Sequence, residues 1–149
     1  MELITSICVT GHGSGGGLAT IAAPYLSEIY ADKEVVCCTF GAPRVGNHNF
    51  IRFFNSRVRW SYRFTNCFDP VPSLPFWEPF THAHDSLCMK EDGLVRRSAE
   101  VVANARPEIN PVEDYVNAIR YSDAHRPEEY TRRIEMLCSP DRPRAAHGA

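Results

Sequence analysis

Thr10-Gly11-His12-Gly13-Ser14-Gly15-Gly16-Gly17-Leu18-Ala19 follows a β-branched run, Ile4 to Val9, and precedes an apolar helical pattern. A strand, a tight glycine turn and a helix in that order make a nucleophile elbow. One residue sits at the apex of such an elbow in a strained backbone conformation. The residues two before and two after it are expected to be small, because strand and helix nearly collide there. Gly11 and Gly15 are four apart, and the residue between them is Gly13, which has no side chain. The outline of a reactive turn is present, and its attacking group is either missing or displaced by one place to Ser14.

The surrounding sequence reads as alternating strands and helices. Leu3 to Thr10 reads as a buried strand. Leu18, Ile21, Ala22, Tyr25, Leu26 and Ile29 then fall at helical spacing and predict one apolar face, interrupted by Pro24. Val35 to Phe40 reads as the next parallel strand of a βαβ unit. Asn47 to Arg57 reads as a short helix. Val58, Trp60, Tyr62 and Phe64 alternate with Arg59, Ser61, Arg63 and Thr65, which predicts a third strand with the aromatic face inward and the other face wet. Four prolines between Asn66 and Thr81 require an ordered loop. Glu91-Asp92-Gly93 signals a hairpin between Leu87–Lys90 and Leu94–Arg97. Asn110 opens one helix as N-cap, and a last helix is expected from Pro127 to Cys138. The fold class expected is α/β, a partial and mostly parallel sheet with flanking helices, over residues 1–138. The Pro/Arg/Ala-rich residues 139–149 are expected to be a disordered tail.

The chain has 149 residues, 44% hydrophobic and 23% charged, and a net charge of -2. That is enough for one domain with a core. With no basic block, electrostatic capture of nucleic acid is not expected. No apolar run approaches the length of a membrane span. The N-terminus carries no signal-peptide pattern, so a soluble intracellular location is expected. The six cysteines are then expected to be free thiols.

Gly11 to Thr20 resembles the elbow of the class 3 (fungal-type) lipases, whose motif reads Gly-His-Ser-Leu-Gly-Gly-Ala-Leu-Ala. The similarity continues in Thr39-Phe40-Gly41-Ala42-Pro43-Arg44-Val45-Gly46-Asn47, in Asn66-Cys67-Phe68-Asp69-Pro70-Val71-Pro72, in Leu74-Pro75 and, more loosely, at His82. Four blocks in the family's order cover residues 3 to 90. The departure falls at Gly13, where the family has serine, and at Ser14, where it has leucine.

The resemblance implies an α/β-hydrolase and hydrolysis of lipid or other small carboxylic esters. That chemistry needs a hydroxyl nucleophile, an imidazole base and an orienting carboxylate, in the chain order Ser, Asp, His. Asp69 follows the third strand and matches the family's acid. His125 is the candidate base, and Asn110 is a rival for that position because Asn110 to Tyr115 repeats the His125 to Tyr130 spacing. Ser14 is the only hydroxyl at the elbow. Activity is expected to be impaired, and the other reading is a non-catalytic remnant that binds lipid or a protein partner. No cofactor is implied. His82, His84, Asp85 and Cys88 are close in sequence but lack a Cys-x-x-Cys pair, and no metal is assigned to them. In the resembled family other strands precede the elbow strand, so an upstream lipase half or a homo-oligomer is expected to cover its outer edge.

Overall fold

A computed structural model describes residues 4–84, 86–91, 95–97 and 122–139. Five strands make one sheet in sequence order. Strand β1 (Ser6–His12), β2 (Glu34–Phe40), β3 (Trp60–Asn66) and β4 (Ser86–Met89) are parallel, and β5 (Val95–Arg97) returns antiparallel to β4. Helix α1 (Ser14–Ile29) connects β1 to β2, α2 (His48–Arg57) connects β2 to β3, and α3 (Pro127–Cys138) follows a 3-10 turn at Ser122–His125. The three expected parallel neighbours and the hairpin are therefore present. The helix expected from Asn110 and the tail from residue 140 lie outside the described residues.

The core lies between one face of the sheet and the first two helices. Val35 and Cys37 of β2 pack there with Ala23 of α1, Phe54 of α2, and Val58 and Ala83 beside them; Ile7 and Val9 of β1 join from the edge. Helix α2 starts where Asn47 accepts the Phe50 N–H in its side chain (3.0 Å), the usual N-cap arrangement.

Two expected faces are reversed. Helix α1 buries its small residues, Gly16, Gly17, Ala19, Thr20 and Ala23, together with Pro24. Leu18, Tyr25 and Ile29 are 68%, 50% and 69% exposed. Close approach decides this: a Cβ on Gly16 would stand 2.8 Å from the Ala42 Cβ, so only the small-residue stripe fits against the strand ends. In β3 the alternation is as expected but the faces are exchanged. Arg63 and Thr65 are buried, whereas Trp60 and Tyr62 are exposed. The loop after Asn66 folds over the Arg63 face, and the Arg63 guanidinium donates to the His84 carbonyl (3.0 Å).

Strand β1 is also wetter than its composition suggests, with Ser6, Cys8 and Thr10 open and Ile7 and Val9 half-buried. The expectation of free thiols fails at one pair. Cys67, just past β3, is disulfide-bonded to Cys88 of β4, with Cα atoms 5.6 Å apart. Parallel pairing of Thr65 with Cys88 brings the two within bonding reach, which their separation in sequence does not reveal. Cys8, Cys37, Cys38 and Cys138 are free.

Candidate active site

The site gathers at the carboxyl ends of β1, β2 and β3, where parallel sheets collect ligands and reactive groups. Strand β1 ends in Gly11 and His12, and the chain turns at Gly13 with φ 56° and ψ −126°. A positive φ is what the apex of an elbow requires, and the backbone takes it at Gly13. The turn is tight enough that a Cβ on Gly11 would overlap the Gly15 carbonyl. Gly15 itself faces open space, so the second crowded position is Gly16 and not Gly15. The Gly13 N–H donates to the Phe40 carbonyl (2.9 Å), which fixes the apex against the end of β2. Ser14 is the first residue of α1, and it is exposed. Its side chain sits one place past the apex.

Asp69 lies in the turn after β3 with its carboxylate wholly buried. Three donors converge on it. The Val71 N–H reaches Oδ1 at 2.8 Å, the Tyr130 hydroxyl reaches Oδ2 at 2.7 Å, and His125 Nδ1 stands 2.8 Å from the same Oδ2. Such a buried carboxylate holds the imidazole's orientation and fixes the proton on Nδ1, which leaves Nε2 as the basic nitrogen. Nε2 is directed at the apex: a Cβ on Gly13 would stand 2.8 Å from it and 3.2 Å from Cε1.

The segment carrying His125 is tied to the sheet at several points. Asn66 Nδ2 donates to the Ala124 carbonyl (2.9 Å), and the Asn66 N–H donates to the Tyr130 hydroxyl oxygen (2.9 Å). Buried Arg133 donates through Nε to Glu129 (2.8 Å) and through Nη1 to the Met89 carbonyl (3.0 Å), which anchors α3 to β4. Burial first, then the charge of Asp69, raises the Tyr130 phenol above its ordinary range, so it remains a donor.

Gly41 has φ 58°, and a Cβ there would meet Asp69 Oδ2 at 2.7 Å, Tyr130 Oη at 2.9 Å and His125 Nδ1 at 3.1 Å. The end of β2 is thus the floor on which Asp69, His125 and Tyr130 stand.

His12 packs against the His125 ring, tilted by 33° with centroids 4.5 Å apart, and meets Tyr130 edge-on at 5.3 Å. Burial, then the neighbouring His125, lowers its pKa, which favours a neutral ring. His82 has another task. Its Nε2 lies 2.6 Å from the Pro72 carbonyl and holds the proline-rich loop. Burial, with Arg63 adding to it, pushes its pKa down to about 3, so it donates as a neutral ring.

A cavity of about 470 Å³ is lined by Arg44, Arg63, Asp69, Pro72, Glu78 and His82 among others. Neither Gly13 nor His125 lines it. His84 has a positive φ, so His82 and His84 do not share a strand face. No cluster of three or more metal-ligating side chains occurs among the described residues.

The structure brings Asp69, His125 and Gly13 together, and Ser14 is exposed at the first position of α1. Asn110, the rival for the base position, lies outside the described residues. Three contributors escaped the reading of the sequence: Tyr130 as a donor to Asp69, Asn66 as a tether, and Gly41 as the floor. Gly41 alone carried a legible signal, a glycine between a strand and Ala42-Pro43.

The family model described as Lipase (class 3) matches residues 3–78. The secreted mono- and diacylglycerol lipase 1 of Fusarium solani is 45% identical over 67 residues, 45% of this chain and 20% of that protein. The triacylglycerol lipase OBL1 of Ricinus communis is 37% identical over 94 residues, 56% of this chain and 18% of that protein. A solved triacylglycerol lipase, described as having a serine protease triad at its catalytic centre, aligns with a TM-score of 0.56 and 29% identity. That alignment covers 62% of this chain and 37% of the other. The chain spans about a fifth of the length of these curated relatives.

Proposed function

Since the chain belongs to the class 3 lipase family, we propose that it carries the acid–base half of a lipase-type ester-hydrolysis site whose nucleophile position is occupied by Gly13. The substrates are lipid or small carboxylic esters, the chemistry named for its relatives. Asp69 orients His125. His125 takes a proton from the attacking hydroxyl and returns it to the leaving alkoxide. Ser14 contributes its backbone N–H, at the head of α1, to the oxyanion.

One observation carries this reading. Asp69 Oδ2, His125 Nδ1 and the apex are aligned through the two sides of one imidazole, at 2.8 Å on the acid side and 2.8 Å to a Cβ position on the other. A binding remnant has no need to keep a buried carboxylate under an imidazole. The absence of a side chain at Gly13 favours the alternative, a non-catalytic module that binds lipid or a protein. Hydrolysis of short-chain p-nitrophenyl esters by the Gly13→Ser variant separates the two. Gain of activity supports a retained acid–base pair, and a folded variant without gain favours the binding module.

The flank of β1 has a role of its own in this reading. Among the described residues strand β1 is at the edge of the sheet, and Leu18, Tyr25 and Ile29 of α1 are exposed. An upstream lipase half or a second copy of the chain covers this flank, since an open strand edge beside an apolar stripe invites pairing. A monomer at high concentration in light scattering would contradict self-association.

A further inference from the structure

The position of His125 relative to Gly13 bears on what attacks the ester. The ring stands closer to the apex than it can while a side chain is tethered there. A Cβ at 2.8 Å from Nε2 lies well inside carbon–nitrogen contact, and a serine there needs the imidazole to back away by a few tenths of an ångström. The ring is not loose. Asp69 holds Nδ1 on one side, the His12 ring packs against it at a tilt, and the Ala124 carbonyl beside it is bonded by Asn66. An untethered oxygen is under no such constraint, because it can settle along the Nε2 lone pair at ordinary hydrogen-bond distance without a bond to Gly13.

Resting on the reading of the site given above, we propose that the nucleophile is water itself. The site would then hydrolyse esters by direct displacement without an acyl-enzyme. The water oxygen bonds to the ester carbonyl carbon while its proton passes to His125 Nε2. The negative charge that develops on the carbonyl oxygen faces the N–H groups of Ser14 and Gly15, which precede the first intrahelical bond, Gly17 N–H to the Gly13 carbonyl (3.1 Å). On collapse the bond to the leaving alkoxide breaks, and the imidazolium returns the proton to that oxygen. Ester and water become acid and alcohol, and the protein ends as it began. Only serine's covalent step is lost, while general-base assistance of about 10²–10⁴-fold is retained.

The test uses the full chain with p-nitrophenyl acetate and a fluorophosphonate probe. The unaltered chain should release p-nitrophenol about tenfold or more above buffer, without a pre-steady-state burst. It should take up no fluorophosphonate. His125→Gln and Asp69→Asn, checked for folding by circular dichroism, should each return the rate to that of buffer. Gly13→Ser should acquire both a burst and the label. An unaltered chain at buffer rate beside an active Gly13→Ser variant would overturn water attack and leave the acid–base reading standing. A burst and label on the unaltered chain, removed by Ser14→Ala, would overturn it in favour of Ser14. Buffer rates from both folded proteins would overturn the acid–base reading as well.

Discussion

The two halves of the site differ in how much holds them. On the Asp69–His125 side the side chains are held from several directions: Asp69 has three donors, the Tyr130 oxygen accepts from Asn66, and α3 is anchored through Arg133. On the elbow side the backbone is complete, with a positive φ at Gly13 and a crowded Gly11 and Gly16, but the apex carries no side chain. The difference is that an elbow and its acid–base pair are built by separate forces. Strand–helix crowding fixes the first, and a buried carboxylate collecting its donors fixes the second. Neither therefore depends on a side chain at residue 13.

The comparison sharpens most under Gly13→Ser. Restoring the hydroxyl should raise p-nitrophenyl ester hydrolysis by about 10³-fold, the order of what a missing nucleophile costs. The same change should lower stability by about 1–3 kcal/mol in urea unfolding, since a non-glycine residue then holds a positive φ. Gly41→Ala should break the intact half. Its methyl displaces Asp69, Tyr130 and His125 together, at a cost of about 3 kcal/mol in the same assay.

Tyr130→Phe removes one donor from Asp69 and one acceptor from Asn66. It should cost about 2 kcal/mol in stability, and about tenfold in the rate of the Gly13→Ser protein. Ser14→Ala keeps the backbone N–H, so it should change that rate by less than about twofold.

Acid sensitivity tests a neighbour of the site. His82 is held below its ordinary value of 6.5, at about 3, so the unfolded chain binds the extra proton first. Its contribution to stability is complete above pH 6.5 and is lost as pH falls toward 3. His82→Gln, which keeps a donor for the Pro72 carbonyl, should flatten the fall in unfolding free energy across that window.

Much of the parallel core was legible. Apolar runs indicated β1 and β2, alternation indicated β3, and the last helix runs from Pro127 to Cys138 as expected. The faces were not legible where size and periodicity disagree. Leu18, Tyr25 and Ile29 look like a core stripe until Gly16 has to fit beside Ala42. Trp60 and Tyr62 look inward until a loop covers Arg63 instead. At the site, chain order and motif pointed to Asp69 and to either His125 or Asn110 as its partner, and His125 is the one seen 2.8 Å from Asp69. Tyr130 and Asn66 were not, since a hydroxyl on a carboxylate 61 positions away is a product of folding. Cys67 and Cys88 escaped for the same reason, being neighbours only once β3 and β4 pair.

The central claim is that the acid–base half is assembled although the apex has no side chain. Proton NMR of the unaltered, ¹⁵N-histidine-labelled chain tests this without any need for activity. An imidazole held by a buried carboxylate at 2.8 Å protects its Nδ1 proton from exchange. The account predicts a His125 Nδ1–H resonance far downfield of the amides, absent in Asp69→Asn and present in Gly13→Ser. Absence of that resonance from a chain with native circular dichroism, or its persistence in Asp69→Asn, would contradict the account.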